Sequence, residues 1–99
     1  MAVMVDKLRE YPDVHLPFKH WCHMTCDADF EELHAFAARL GIPRSRFQGD
    51  HYDLPPHLRE RAVALGAEEV GTRELTARMS GSRGDRVRAR RAARVSPPR

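Results

Sequence analysis

Short apolar runs alternate with segments of helical periodicity along the first 79 residues. Residues 2–5 form an apolar, partly β-branched run that Asp6 closes, and this pattern predicts a buried strand with a carboxylate at its carboxyl end. Open α/β sheets gather their ligand sites at such strand ends. Residues 11–19 contain two prolines among residues of mixed polarity, which indicates a loop.

The next segment predicts a strand followed by a helix. Residues 20–26 alternate so that His23 lies on the face opposite Cys22. Asp29 begins a helix-capping box, and an apolar residue then recurs every third or fourth position as far as Leu40. A glycine and a proline directly after this stripe end the helix.

The pattern continues with two further helices and two short strands. Residues 46–48 are predicted as a strand and residues 49–53 as a polar turn. Two prolines start a second helix that ends at Leu65, before a glycine. Residues 68–70 predict a last strand, and Thr72 caps a third helix that reaches residue 77 or 79.

Beyond residue 79 the apolar pattern stops and arginine dominates. Residues 80–99 carry seven Arg and one Asp, whereas residues 1–79 carry ten Lys or Arg against thirteen Asp or Glu. We therefore expect an α/β fold: a small single domain over residues 1–79, with about three helices packed on a short, mostly buried sheet. A disordered, arginine-rich C-terminal tail over residues 80–99 follows, although its Arg and Ala content is compatible with a helix from residue 86 to 95.

Composition adds two constraints on the class of protein. The hydrophobic fraction of 41% and the charged fraction of 31% are those of an ordinary globular domain. The chain has only two cysteines and no long apolar run near its amino terminus, so we expect a cytoplasmic protein with reduced thiols and no membrane contact. Its oligomeric state is not indicated.

Six histidines among 99 residues are the main chemical signal. Imidazole and carboxylate groups are the usual ligands of zinc, manganese and iron, and carboxylates also hold magnesium. We therefore hypothesise that the fold gathers a site for a divalent metal (Zn, Mn or Mg) from His23, His34, His51, Asp53 and Asp6. One alternative is that His23 and His34 are boundary histidines with ordinary partners, while Asp50 and Asp53 shape a turn and cap a helix. Another is a polar site without a metal.

Two other groupings have chemical meaning. His51, Tyr52 and Asp53 could offer a general base, an oxyanion donor and an orienting carboxylate to a cleft beside Asp6, although sequence neighbours do not form a triad among themselves. Four potential zinc ligands also lie within residues 20–26, but one short segment rarely wraps a tetrahedral ion, so we interpret the two cysteines there as buried free thiols.

Several motifs in this order resemble the domain of unknown function 4031, a family found in bacteria and phages. The motifs are Trp21–Met24, Glu32–Ala37, Phe47–Asp53, Arg61–Ala62 and Gly66–Ala67, and the likeness covers residues 2–75. It implies no known activity. It points to Trp21, His23, Glu32, His34, His51, Tyr52, Asp53 and Arg61, and the chain departs from it at residues 12–19, at the two cysteines and after residue 75.

Two functions follow as hypotheses. The first is a His- and Asp-lined polar cleft that binds or hydrolyses a phosphorylated or nucleic-acid ligand with a divalent metal; whether the protein is an enzyme is left open. The alternative is a non-catalytic accessory module whose basic tail binds nucleic acid. The arginines of the tail in that case are Arg83, Arg86, Arg88, Arg90, Arg91 and Arg94.

Overall fold

The computed structural model describes residues 2–95, which form a five-stranded mixed sheet and four α-helices. The strands are β1 (Val3–Val5), β2 (Arg9–Glu10), β3 (His20–Cys26), β4 (Tyr52–Leu54) and β5 (Glu68–Glu69). The helices are α1 (Phe30–Arg39), α2 (Pro56–Ala64), α3 (Thr72–Arg78) and α4 (Ser82–Val95). The predicted α/β class and short sheet are confirmed.

Strand β3 is the centre of the sheet. It pairs antiparallel with β1, β2 and β4, while β1 also pairs in parallel with β5. In the registers, Val5 and Tyr52 both lie opposite Met24, and Asp53 lies opposite His23. Because side chains alternate between the faces of a strand, His23 and Asp53 share one face and Met24 lies on the other.

Each face of the sheet has its own core. On one face, alternate residues of β1, β3 and β4 pack against α1 and α2, with Leu33 and Tyr52 fully buried. On the other face, Met4 packs against α3 and the residues beside it, through Leu75 and Met79. The polar end of this second face, beyond Met4, carries the residues of the candidate site.

Helix α1 begins as predicted, because the Asp29 carboxylate accepts the backbone N–H of Glu31 at 2.9 Å. It ends at Arg39 with Leu40 as its C-cap, and Gly41 follows with a φ of 78°, in the left-handed region that favours glycine. Helix α2 starts at Pro56 as expected. Thr72 is the first residue of α3 and not its cap, and its hydroxyl donates to Asp6 instead.

The structure differs from prediction between residues 44 and 54. Residues 46–48 do not form a strand: Arg44–Arg46 is a single 3₁₀ turn, and Phe47 packs edge-on against Phe30. The strand lies at Tyr52–Leu54, within a segment predicted as a turn and its exit. This strand has only three residues, with an aspartate in the middle and two prolines directly after it, so it is too short for the alternation of a strand to be recognised.

The segment after residue 79 also differs, because it forms helix α4 where a disordered tail was expected. Its first turns pack on the domain. Gly84 is buried against the Met79 carbonyl, and the Arg88 guanidinium donates to the carbonyls of Ala77 and Met79 at 3.0 and 2.8 Å. Composition does not reveal this anchoring because it depends on two individual contacts. The last expected tail residues, 96–99, lie outside the described residues.

No helix in the described part of the chain is long and apolar enough to cross a lipid bilayer.

We expect Gly84→Ala to destabilise the domain. Helix propensity alone favours alanine by about 1 kcal/mol, but the added methyl group would overlap the Met79 carbonyl oxygen, so we expect a net loss of about 1–3 kcal/mol. Urea unfolding followed by the fluorescence of Trp21 measures the change. The matched control is Ala89→Gly, an exposed position in the same helix, which should alter local helicity but barely affect domain unfolding. An unchanged or raised unfolding free energy for Gly84→Ala would show that α4 does not pack there.

Candidate functional site

A fully buried carboxylate, Asp6, follows β1 and fixes the orientation of the His23 ring. Its side chain is 0% exposed and accepts three hydrogen bonds: from the His23 backbone N–H at 2.7 Å, from His23 Nδ1 at 2.8 Å and from the Thr72 hydroxyl at 2.9 Å. Burial would raise the pKa of Asp6, but the hydrogen bonds from His23 and Thr72 outweigh it and hold the pKa below its usual value. Since an ionised carboxylate only accepts, His23 Nδ1 carries a proton, and Nε2 is the ring nitrogen that Asp6 does not contact.

A second aspartate, Asp50, holds the neighbouring histidine in the same way. His51 Nδ1 lies 2.7 Å from Asp50 Oδ1. The turn that presents both residues is closed by a hydrogen bond of 2.8 Å from the Gln48 N–H to the His51 carbonyl, and Gly49 adopts a φ of 87° within it. The Thr25 hydroxyl donates to the Asp50 carbonyl at 2.6 Å. His51 Nε2 is therefore the nitrogen that faces the rest of the site.

The two histidines and Asp53 form one cluster. Ligand atoms of His23, His51 and Asp53 all lie within 4.8 Å of one another, and the imidazole centroids are 5.1 Å apart. His51 Nε2 lies 3.3 Å from Asp53 Oδ1. All three residues are half-buried, so the cluster is both sheltered and accessible from one side.

An electrostatic contact joins His51 to Asp53 within this cluster. The hydrogen bond with Asp53, and a second with Asp50, raise the pKa of His51 above its ordinary value against the effect of burial. The same contact lowers the pKa of Asp53, whose other oxygen accepts from Gln48 Nε2 at 2.6 Å. Metal binding at these groups would require His51 to lose a proton from Nε2 if the ring is charged, because a metal-bound imidazole is neutral.

The cluster lies at the polar end of a cleft of about 710 Å³. The opposite wall is apolar and comes largely from the loop before β3, where Phe18 lies edge-on to Trp21 with ring centroids 6.3 Å apart. Arg46 and His57 also line the cleft and add positive or titratable groups to it. The cleft therefore joins an aromatic wall to a site rich in metal-ligand groups.

The structure brings together three of the five predicted metal ligands. Asp6 lies behind the His23 ring, where it accepts from Nδ1 and is too buried to reach an ion in the cleft. His34 is outside the cluster, because its Nδ1 is hydrogen-bonded to the Tyr52 hydroxyl at 2.7 Å on the other side of the sheet. The metal hypothesis is therefore corrected to His23, His51 and Asp53.

The structure also corrects the role predicted for Tyr52. Tyr52 is 0% exposed and belongs to the core under α1 and α2, so its phenol cannot act as an oxyanion donor in the cleft. It points away from Asp53 because the two are consecutive residues of β4. Of the predicted catalytic residues, His51 and Asp53 reach the cleft.

Two partners of the cluster are not among the predicted functional residues. The sequence pattern indicates Asp50 only as a turn residue and Gln48 only as part of a strand, yet both bind the cluster directly. Their role depends on the tight turn through Gly49, which the sequence indicates only as a generic polar turn. Thr72, expected to cap a helix, is a partner of the buried carboxylate Asp6.

The cysteines take no part in the cleft chemistry. Cys22 and Cys26 are free, buried thiols, as interpreted from the sequence. Burial, reinforced by the charge of Asp6, raises the pKa of Cys22 to about 12, so it stays protonated and unreactive at neutral pH. Burial likewise raises the pKa of Cys26.

The predicted nucleic-acid arginines fall into two groups. Arg83 pairs with Asp50 at 3.3 Å, and Arg88 is used to anchor α4 and to pair with Asp85 at 2.5 Å. The other four, all exposed, have no acidic partner among residues 2–95: they are Arg86, Arg90, Arg91 and Arg94.

Comparison with known proteins gives a family but no activity. Neither the curated proteins nor the solved structures contain a match to this chain. A family model described as "Protein of unknown function (DUF4031)" matches residues 3–82, which include every strand, helices α1 to α3 and the whole histidine cluster. The chain belongs to this family.

Proposed function

We propose that His23, His51 and Asp53 hold one divalent metal ion, of the zinc or manganese class, and that the cleft presents a phosphate ester to it for hydrolysis. The observation that carries this proposal is the repeated carboxylate–imidazole pair. Both histidines have an aspartate on Nδ1, Asp6 and Asp50, so Nε2 is the nitrogen of each ring that could bind an ion, and at His51 the ion would replace the contact of Nε2 with Asp53. Metal-bound histidines almost always have such a partner on the nitrogen that does not bind the ion.

The ligand set fits hydrolytic chemistry better than a structural role. Two imidazoles and one carboxylate leave at least one coordination position open, whereas structural zinc sites are closed by four protein ligands. An ion held in this way lowers the pKa of bound water to about 7 and neutralises charge on a phosphoryl oxygen. The half-buried position of the three ligands leaves the open side towards the cleft.

In the proposed hydrolysis, the groups that line the cleft hold the phosphate ester and its leaving group while water attacks. The oxygen of water forms a bond to phosphorus as the phosphorus–oxygen bond of the ester breaks. One proton of the water ends on the departing alcohol, and the other stays on the inorganic phosphate. Arg46 would attract the phosphate. The wall around Phe18 and Trp21 would contact an apolar or aromatic leaving group.

Metal titration tests the ligand set. We expect protein purified without a histidine tag to bind one Zn²⁺ or Mn²⁺ per chain by isothermal titration calorimetry. His51→Ala and Asp53→Asn should weaken binding by more than the roughly 10- to 100-fold that loss of an outer partner typically causes. His20→Ala is the matched control, because it removes an exposed imidazole from the same strand as His23. Absence of binding by the unchanged protein, or equal loss in the control, would contradict the proposal.

Substitution of Asp6 tests whether its hydrogen bond with His23 Nδ1 supports metal binding. Asp6→Asn keeps an oxygen for the His23 backbone N–H but cannot accept from Nδ1, so metal affinity should fall about 10- to 100-fold. Thr72→Val is the control: it removes another donor to the same carboxylate and should cost about 1–3 kcal/mol of stability, with metal affinity nearly unchanged. Circular dichroism checks that both variants are folded during titration. Equal losses of metal affinity in the two variants would contradict a specific role for the Nδ1 contact.

Hydrolysis is tested with p-nitrophenyl phosphate and bis(p-nitrophenyl) phosphate. We expect release of p-nitrophenolate by the Zn²⁺- or Mn²⁺-loaded protein, its loss in Asp53→Asn and its retention in His20→Ala. Trp21→Ala should raise KM more than it lowers kcat, because this ring contacts the leaving group and not the phosphate. If the protein binds one metal ion but turns over neither ester, the hydrolysis of these phosphate esters is rejected, whereas the proposed metal site is not contradicted.

A further inference from the structure

The second half of α4 is exposed along its length. Residues 88–94 are all exposed, and the helix packs on the domain through Gly84 and the Arg88 guanidinium. Arg88 is therefore a structural arginine. The last turns carry charge that the anchoring of the helix does not require.

Four of the six arginines of α4 form a stripe. At 100° per residue, Arg83, Arg86, Arg90 and Arg94 fall within an arc of about 80° on one side of the helix. Arg86 and Arg94 are about 12 Å apart along its axis. Arg86, Arg90 and Arg94 are exposed and have no carboxylate partner among residues 2–95, and like charges four residues apart destabilise an isolated helix. A polyanion laid along the stripe would remove that repulsion.

The side chains of α4 indicate which class of polyanion fits the stripe. Helices that lie on anionic membranes carry large apolar side chains on the opposite face, whereas α4 has only alanines and two valines. Single-stranded nucleic acids are held by aromatic stacking, and α4 contains no aromatic residue. The major groove of double-stranded RNA is too deep and narrow for a helix to enter and contact the phosphates along its edges. The major groove of duplex DNA is about 12 Å wide and admits a helix.

We infer that the arginine stripe of α4 (Arg86, Arg90 and Arg94, with Arg83 at its start) is a docking surface for the phosphate backbone of duplex DNA. Guanidinium groups bind phosphates through paired hydrogen bonds, and they do so without selecting a base sequence. This inference does not rest on the proposed metal site. The stripe nevertheless begins beside it, because Asp50 contacts Arg83 through one oxygen and His51 through the other.

The test is fluorescence anisotropy of a labelled 20-base-pair duplex titrated with the full chain over a range of salt concentrations. The variant is Arg86→Gln/Arg90→Gln/Arg94→Gln, which leaves Arg88 in place and keeps helix-forming residues. Each arginine that neutralises a phosphate releases the counterion of that phosphate, and the glutamine that replaces it does neither. The slope of log affinity against log salt concentration should therefore decrease in magnitude by about 2 to 3. The control, Lys7→Gln/Arg9→Gln/Arg61→Gln, changes the net charge equally at exposed positions outside α4 and should keep most of the slope.

Several results would overturn the inference. They are an unchanged slope in the α4 variant, an equal decrease in the control variant, and absence of binding to the duplex by the unchanged chain. Tighter binding to single-stranded DNA of the same length would reject duplex DNA as the occupant. Binding to phosphatidylserine vesicles that the α4 variant abolishes, with none to DNA, would assign the surface to membranes. His51→Ala should leave DNA binding unchanged while it removes metal binding, so the two proposals fail separately.

Discussion

The buried carboxylate of Asp6 is the constraint on which the site depends. An ionised group with no solvent exposure is costly unless hydrogen bonds replace its water, and here the bonds come from the backbone and ring of His23 on β3 and from Thr72 on α3. Arg59 of α2 also donates to the Asp6 carbonyl at 2.8 Å. One residue therefore joins the end of β1 to three other elements and sets the direction of one imidazole.

Asp50 repeats the arrangement in the turn before β4 and connects it to the rest of the molecule. It orients His51, and its other oxygen meets Arg83 at the start of α4. The helix is anchored independently by Gly84 and Arg88, so the arginine stripe and the cleft are two surfaces with one shared residue between them. We propose a metal at the one surface and a phosphodiester backbone at the other, and together they would suit a protein that acts on nucleic acid.

The long, regular elements are predictable from the sequence, because Asp29, Gly41 and the prolines of α2 act locally. The site is predictable only in part. Residue type identifies His23, His51 and Asp53 as candidates. That Tyr52 points to the opposite face of the sheet from Asp53 follows only from strand β4, whose three residues are too few for periodicity to reveal. The roles of Asp50 and Thr72 depend on partners distant in sequence or on one tight turn, which no local pattern encodes. The same is true of the anchoring of α4.

Crystals grown with Zn²⁺ test the three-residue ligand set most directly, through an anomalous difference map. We expect one strong peak about 2.0–2.2 Å from Nε2 of His23, Nε2 of His51 and a carboxylate oxygen of Asp53, with Asp6 and Asp50 still on the Nδ1 atoms. A well-ordered cleft with no peak between these three residues, or zinc bound through either Nδ1 atom, would contradict the proposed site.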